Sequence, residues 1–241
     1  MDYEQKVRLE ISMWAKEMLQ PPGMFGKTAK ALQSKVNAVI PDKVHQVVTE
    51  SIKGMVQAAI AGADYTTGRH QTEGVPLETL DRRVKERLEF YKKAAAVEGA
   101  GTGAGGILLG LADFPLLLGI KMKFLFDAAA HYGFDTGRLE ERLFILHLFQ
   151  LAFSSDEHRH RVFRAVETWE DRGDWEVEPD WRTFQQEYRD YIDLAKMLQL
   201  VPGIGAIVGA VANYRLLEKL GETAMNGYRL RLLKQRGPAG P

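Results

Sequence analysis

The chain has 241 residues, 45% of them hydrophobic and 27% charged, and its 32 basic residues balance 32 acidic ones. That composition excludes a disordered, collagen-like or polytopic membrane protein, and zero net charge argues against nucleic acid as a partner. With no cysteine, a disulfide scaffold, a thiol nucleophile and every Cys-ligated zinc site are excluded.

The dominant period is helical. Val7, Ile11, Trp14 and Met18 form one stripe of a first helix, which stops before Pro21-Pro22-Gly23. A short basic helix with Lys27, Lys30 and Lys35 is predicted from Lys27 to Ile40, ended by Pro41. Asp42 caps the next, with Val44, Val48, Ile52, Met55 and Ala59 on one face. Residues 64–75 are polar and read as a loop. Pro76 opens a helix through Leu80, Val84, Leu88 and Tyr91. The acidic start, Met1-Asp2-Tyr3-Glu4, lacks the basic region of an export signal, so a cytoplasmic location is expected.

Beyond the Gly-rich centre, Tyr132-Gly133 reads as a helix C-cap, with Asp135 starting the following helix. Residues 143–153 are apolar almost all round, the pattern of a helix buried in a bundle or against lipid. A charged helix spans 156–170. An acidic loop runs from Trp169 to Trp181, and with Trp175 its aromatics suit either a partner site or plain solvation. A helix follows through Phe184, Tyr188, Tyr191, Ala195 and Leu198, then two more over about 204–220 and 222–233. The expectation is an all-α, single-domain bundle of roughly ten helices over residues 1–236, with a frayed tail at 237–241.

Two segments stand apart. Gly99 to Ile120 carries one charge, Asp113, in 22 residues, and Met197 to Tyr214 carries none in 18. Both approach the roughly 20 residues that span a bilayer, but Pro115, the glycines at 101, 103, 105 and 106, and Pro202-Gly203 break them. Small residues recur at spacing four, at Gly101 with Gly105, Gly106 with Gly110, and Gly205 with Gly209. Such rows let helices approach closely in lipid or in a soluble hairpin, and both readings stay open. Segments 99–112 and 203–212 are therefore expected to pack on each other. Asp113 either caps the helix that Pro115 begins or serves as a buried polar site, and Asn213 is a candidate donor to it. Residues 215–236 hold six basic side chains against two acidic ones. Arg229, Arg231, Lys234 and Arg236 are thus expected to face an anionic membrane surface.

Catalytic and metal motifs are weak. Gly101 to Gly106 fits G-x-G-x-x-G, but a helix precedes it where the nucleotide fold needs a strand. His158 and His160, two apart on a helix, do not share a face. His147 and Gln150 read as satisfied polar groups in the core. No triad can be assigned by spacing. No catalytic, cofactor or metal residue is expected.

The chain resembles the EcsC family of bacterial proteins along nearly its whole length. The resemblance rests on Trp14 with Pro21, on Ile40-Pro41, and on Glu98-Gly99 leading through Gly103 to Gly106 into Asp113-Phe114-Pro115. It continues through Tyr132-Gly133-Phe134-Asp135 and ends with Val201 to Ala206 and Asn213. It implies a helical, membrane-associated protein at the inner face of the cell membrane, with no catalytic motif to carry over. The family takes its name from a gene beside those of an ABC exporter, so the implied partner is an ABC transporter's membrane subunit. The expected function is non-enzymatic, with Glu98, Asp113 and Asn213 as polar contacts and Gly99, Gly105, Gly106, Gly133, Gly205, Gly209, Pro115 and Pro202 shaping the packing. The alternative is a soluble hydrolase-like enzyme with Glu98, Asp113 and His131 or His147 around one pocket.

Overall fold

The computed structural model describes residues 2–21, 42–62, 65, 67–104, 114–171 and 205–237. Among them there are seven α-helices and no strand: α1 (Tyr3–Met18), α2 (Asp42–Ala61), α3 (Leu77–Ala104), α4 (Phe114–His131), α5 (Leu139–Phe153), α6 (Asp156–Glu167) and α7 (Gly205–Arg236). The all-α class holds, with seven helices where roughly ten were expected. The helices expected at 27–40 and 184–198 lie outside the described residues.

The start of α1 is fixed locally. Asp2 accepts from the Gln5 amide at 2.7 Å while the Gln5 side chain accepts from the Asp2 amide, a reciprocal cap. Its Val7, Ile11 and Trp14 stripe is buried, and Trp14 meets Phe163 of α6 edge-on. The end of α4 is equally explicit. The Gly133 amide bonds Ala130 O, the Phe134 amide reaches back to Ala129 O, and Gly133 takes φ +87°. This is the left-handed glycine closure that the Tyr132-Gly133 pair predicts.

Two boundaries differ from expectation. Asp135 does not open α5. Its carboxylate accepts from the Gly137 amide in the connecting turn, and α5 begins at Leu139. The two helices expected over 204–233 are one helix of 32 residues, about 48 Å long. Gly221 does not end α7, because nothing there demands a left-handed residue and Leu88 fills the space a side chain would take.

α5 is buried on every side from Phe144 to Phe153, enclosed by α2, α4, α6 and α7. One continuous core runs from Val7 through Phe124, Phe126, Phe149 and Phe163 to Leu233. Burying each such ring contributes about 1.5–3 kcal/mol relative to exposure. α7 lies antiparallel along α3, its most extensive partner, with Leu88 against Gly221 and Arg229 on Asp81.

Candidate functional site: the apolar end and the buried ion networks

Helix direction brings three segments together. Asp81 of α3 meets Tyr132 just past the end of α4, while Tyr91, ten residues on, bonds Asp127 and meets Phe124 further back, so α3 and α4 run antiparallel. Lys92 of α3 bonds Glu218 of α7 at 3.1 Å and sits over the Tyr214 ring. The end of α3, the start of α4 and the start of α7 therefore gather at one end of the bundle. Ala104, Phe114 and Gly205, which border the apolar Gly-rich stretches, belong to it. Four large apolar side chains on these segments point outward: Phe90, Val97 (74% exposed), Leu116 and Val211. Exposed Lys93 lies between Phe90 and Val97, and exposed Arg215 one turn beyond Val211.

The predicted residues distribute unevenly around this end. Glu98 is half-buried on α3, and Gly99 lies in the same helix, which continues through the first glycines to Ala104. Pro115 is exposed in the first turn of α4, where its missing N–H costs nothing. Gly205 opens α7, Gly209 follows one turn on, and Asn213 is buried. Gly105, Gly106, Asp113 and Pro202 lie outside the described residues, and with them the tests of the Asp113–Asn213 pair and of the expected packing of 99–112 on 203–212.

The predicted enzyme pocket does not assemble among the described residues. His131 stacks on His70 at 4.2 Å beside Arg83 and Arg87. Those arginines precede Glu98 by 15 and 11 residues on one helix, a separation of about 16–22 Å. His147 bonds Leu143 O and packs against Trp169, on the α5 face that meets the far part of α7. Among the described residues no three His, Asp or Glu side chains are placed to hold a metal ion.

The four cations expected on a basic membrane face are all engaged with carboxylates of the fold. Arg229 and Arg231 are buried. Arg229 holds Asp81 through Nε and Nη2, and its Nη1 reaches Glu10 and Asn226. Arg231 holds Glu141 at 2.7 Å and Glu170 at 2.5 Å, its guanidinium stacked between Phe134 and Phe144. Lys234 bonds Asp171, and Arg236 pairs with Glu4. These cations neutralise neighbouring carboxylates, about 27–38 Å along α7 from Val211. Trp169, read as part of a solvated loop, is buried in a 3₁₀ turn against Phe144.

Sequence reading missed the carboxylates. Asp81 accepts from Arg229, Tyr3 and Tyr132, each phenol at 2.6 Å. Burial and the adjacent Asp81 push the Tyr3 phenol up to about 12. Asp127 accepts from Tyr91, Arg87 and Thr67. Burial alone would raise its pKa, but these three donors outweigh it and hold the carboxyl below the usual range. Burial opposes the charge on Arg231, yet Glu141 overrides it and keeps the guanidinium protonated. Asp81, Asp127 and Glu141 each follow a helical spacing that places them on an apolar stripe, which is the signal that could have found them.

Asp127 also ties down the 65–76 connection. Thr67 Oγ1 donates to Asp127 and accepts from Lys123, and the Thr136 hydroxyl donates to Thr67 O. The His70 amide bonds Ala130 O. Burial, then the His70 ring, hold the His131 imidazole below its usual range, with Arg87 and Arg83 adding to the effect. A folded-state pKa below the unfolded value supports stability at neutral pH and loses it as pH falls. The melting temperature is therefore expected to drop from pH 7 toward pH 5. His131→Phe, which preserves the stack on His70, is expected to flatten that slope. Equal slopes in wild type and variant would remove His131 from this role.

The comparisons agree with the resemblance. The model of the EcsC protein family matches residues 5–233. Protein EcsC of Bacillus subtilis (strain 168) is 49% identical over 231 residues, covering 96% of this chain and 97% of the relative. An uncharacterised protein of the same organism, YdbA, is 27% identical over 98% of this chain and 94% of its own length. No solved structure matches. The chain belongs to the EcsC family.

Proposed function

We propose that the protein is a non-enzymatic, peripheral protein of the cytoplasmic membrane face, docked through the apolar end of its bundle. Among the described residues no helix is long and apolar enough to cross a membrane, so the contact in this reading is shallow. The observation that carries it is that Phe90, Val97, Leu116 and Val211 are all exposed on the segments that meet at the end where the apolar Gly-rich stretches attach. Soluble surfaces scatter such side chains singly, and grouping them marks an interaction surface. Lys93 and Arg215 beside them suit anionic headgroups, at about 1 kcal/mol each near the surface.

Cosedimentation with protein-free anionic vesicles tests the proposal. Binding is expected to weaken but persist as salt rises, because apolar insertion is not screened. Val97→Glu with Val211→Glu is expected to abolish it, and Lys93→Glu with Arg215→Glu to weaken it only at low salt. No binding at low salt overturns the lipid reading. Retention in cell membranes without vesicle binding would move it to a membrane-protein partner such as an ABC transporter's membrane subunit. Both neighbouring apolar substitutions are on exposed sites, so an unchanged melting curve is expected.

A further inference from the structure

α1 does not close down on the α3–α7 pair. A trench of about 1020 Å³ is left between the three helices, beginning beside Lys92 and Glu218 and running away from the apolar end to Arg229. Its floor is apolar at Trp14, Leu88 and Met225, and Met13 stands on its lip, 63% exposed. Methionine adapts to varied apolar partners more readily than branched side chains do. On the floor, Asn226 is buried and its Oδ1 accepts from Arg229, while its amide nitrogen has no hydrogen-bond partner among the described residues. Such an amide donor beside a cavity is available to an incoming carbonyl or hydroxyl.

The walls are acidic. Glu10, Glu17, Glu89, Glu218 and Glu222 line the trench against Lys85, Lys92 and Arg229. Arg229 is committed to Asp81 and Glu10, and Lys92 to Glu89 and Glu218. That leaves exposed Glu17 on α1 and exposed Glu222 on α7, with exposed Lys85 of α3, lining the trench with no partner among the described residues, an excess of one negative charge. Along α7 the lining runs from Glu218 to Arg229, about 17 Å or three helical turns. That length and volume give a mean cross-section near 60 Å², enough for the inward half of a helix about 10–12 Å across. Among the described residues, the three helices present the groove of a four-helix arrangement without a fourth member.

We propose that this trench binds a basic amphipathic helix of a partner protein, its apolar face on Trp14, Leu88 and Met225 and its lysines or arginines on Glu17 and Glu222. The proposal does not rest on the membrane reading, since none of Phe90, Val97, Leu116 and Val211 lines the trench. Apolar anchors in a groove supply affinity in such recognition, and the charged lips choose the partner.

The probe is a labelled peptide of about 14 residues, with leucine at helical spacing and lysine elsewhere, titrated into the full chain and followed by anisotropy. Two controls accompany it: the same peptide with glutamate for every lysine, and a scrambled lysine–leucine peptide that cannot form an apolar face. Binding of the first alone is expected. Glu17→Lys with Glu222→Lys should weaken it about tenfold, and Met13→Asp should weaken it by a similar factor. All three positions are exposed, so the melting curve should not move. The Val97→Glu and Val211→Glu variant should bind the peptide normally. No binding at about 1 mM peptide, equal binding of either control, or no loss in both trench variants overturns the proposal.

Discussion

Asp81→Leu is expected to destabilise the fold by about 3–5 kcal/mol, because it removes the acceptor from a buried guanidinium. Asp81 is 1% exposed and Arg229 6%. The loss reaches further than one pair, since the Tyr3 and Tyr132 hydroxyls also donate to Asp81. These groups come from α1, α3 and α7 and from the turn after α4, so one carboxylate links elements far apart in sequence. Arg229→Met alone leaves Asp81 with two phenol donors and is expected to cost less. The double variant should recover much of the loss, as a well-packed apolar replacement often matches a buried ion pair. Chemical denaturation of the four proteins gives the coupling directly. A single-variant cost under about 1 kcal/mol, the range of an exposed pair, would show that Arg229 reaches solvent and is not held by Asp81.

The helical class was legible because the apolar residues repeat at helical spacing. Val7, Ile11 and Trp14, then Leu80, Val84, Leu88 and Tyr91, are all buried as their spacing requires. Gly133 was legible because a closing left-handed glycine has a local signature. The charged residues were not legible in the same way. A basic run such as Arg229, Arg231, Lys234 and Arg236 reads alike whether its partners are phospholipids or the carboxylates of Asp81, Glu141, Asp171 and Glu4. Those partners lie 63 or more residues away in sequence. Only the fold decides, by bringing α3, α5 and α1 against α7. Lone carboxylates on apolar stripes were the available warning that the basic run was already neutralised.

The same distinction separates the two surfaces left open by the fold. At the apolar end the cations are few and the exposed side chains are Phe, Leu and Val, which suits hydrocarbon. In the trench the floor is apolar but the lips carry carboxylates, which an anionic leaflet repels and a basic helix satisfies. One chain thus presents two faces of opposite electrostatic preference. They are separable by mutation because neither Val97 nor Val211 lines the trench, whereas Glu17 and Glu222 do.

Gly227→Leu is expected to be among the most damaging single substitutions, at about 3 kcal/mol, the upper part of the range for overpacking a core. Among the described residues, close helix contact rests on Gly221 and Gly227 of α7. A Cβ on Gly227 would overlap a terminal methyl of Leu148, and one on Gly221 would overlap the branch of Leu88. Helix propensity pulls the other way, since alanine for glycine inside a helix gains about 1 kcal/mol. The sign of each alanine variant therefore reports which effect wins. Leu148 is fully buried on α5, so Gly227→Ala should still destabilise, by about 1 kcal/mol net. Leu88 borders the open trench and can rotate into it, so Gly221→Ala should come close to neutral. It should also weaken the trench for its helical ligand by moving Leu88 into the floor. Thermal melts of the two alanine variants against wild type decide the matter. A stabilised Gly227→Ala would mean that Leu148 yields easily and that α5 and α7 are not held at the close distance a glycine permits.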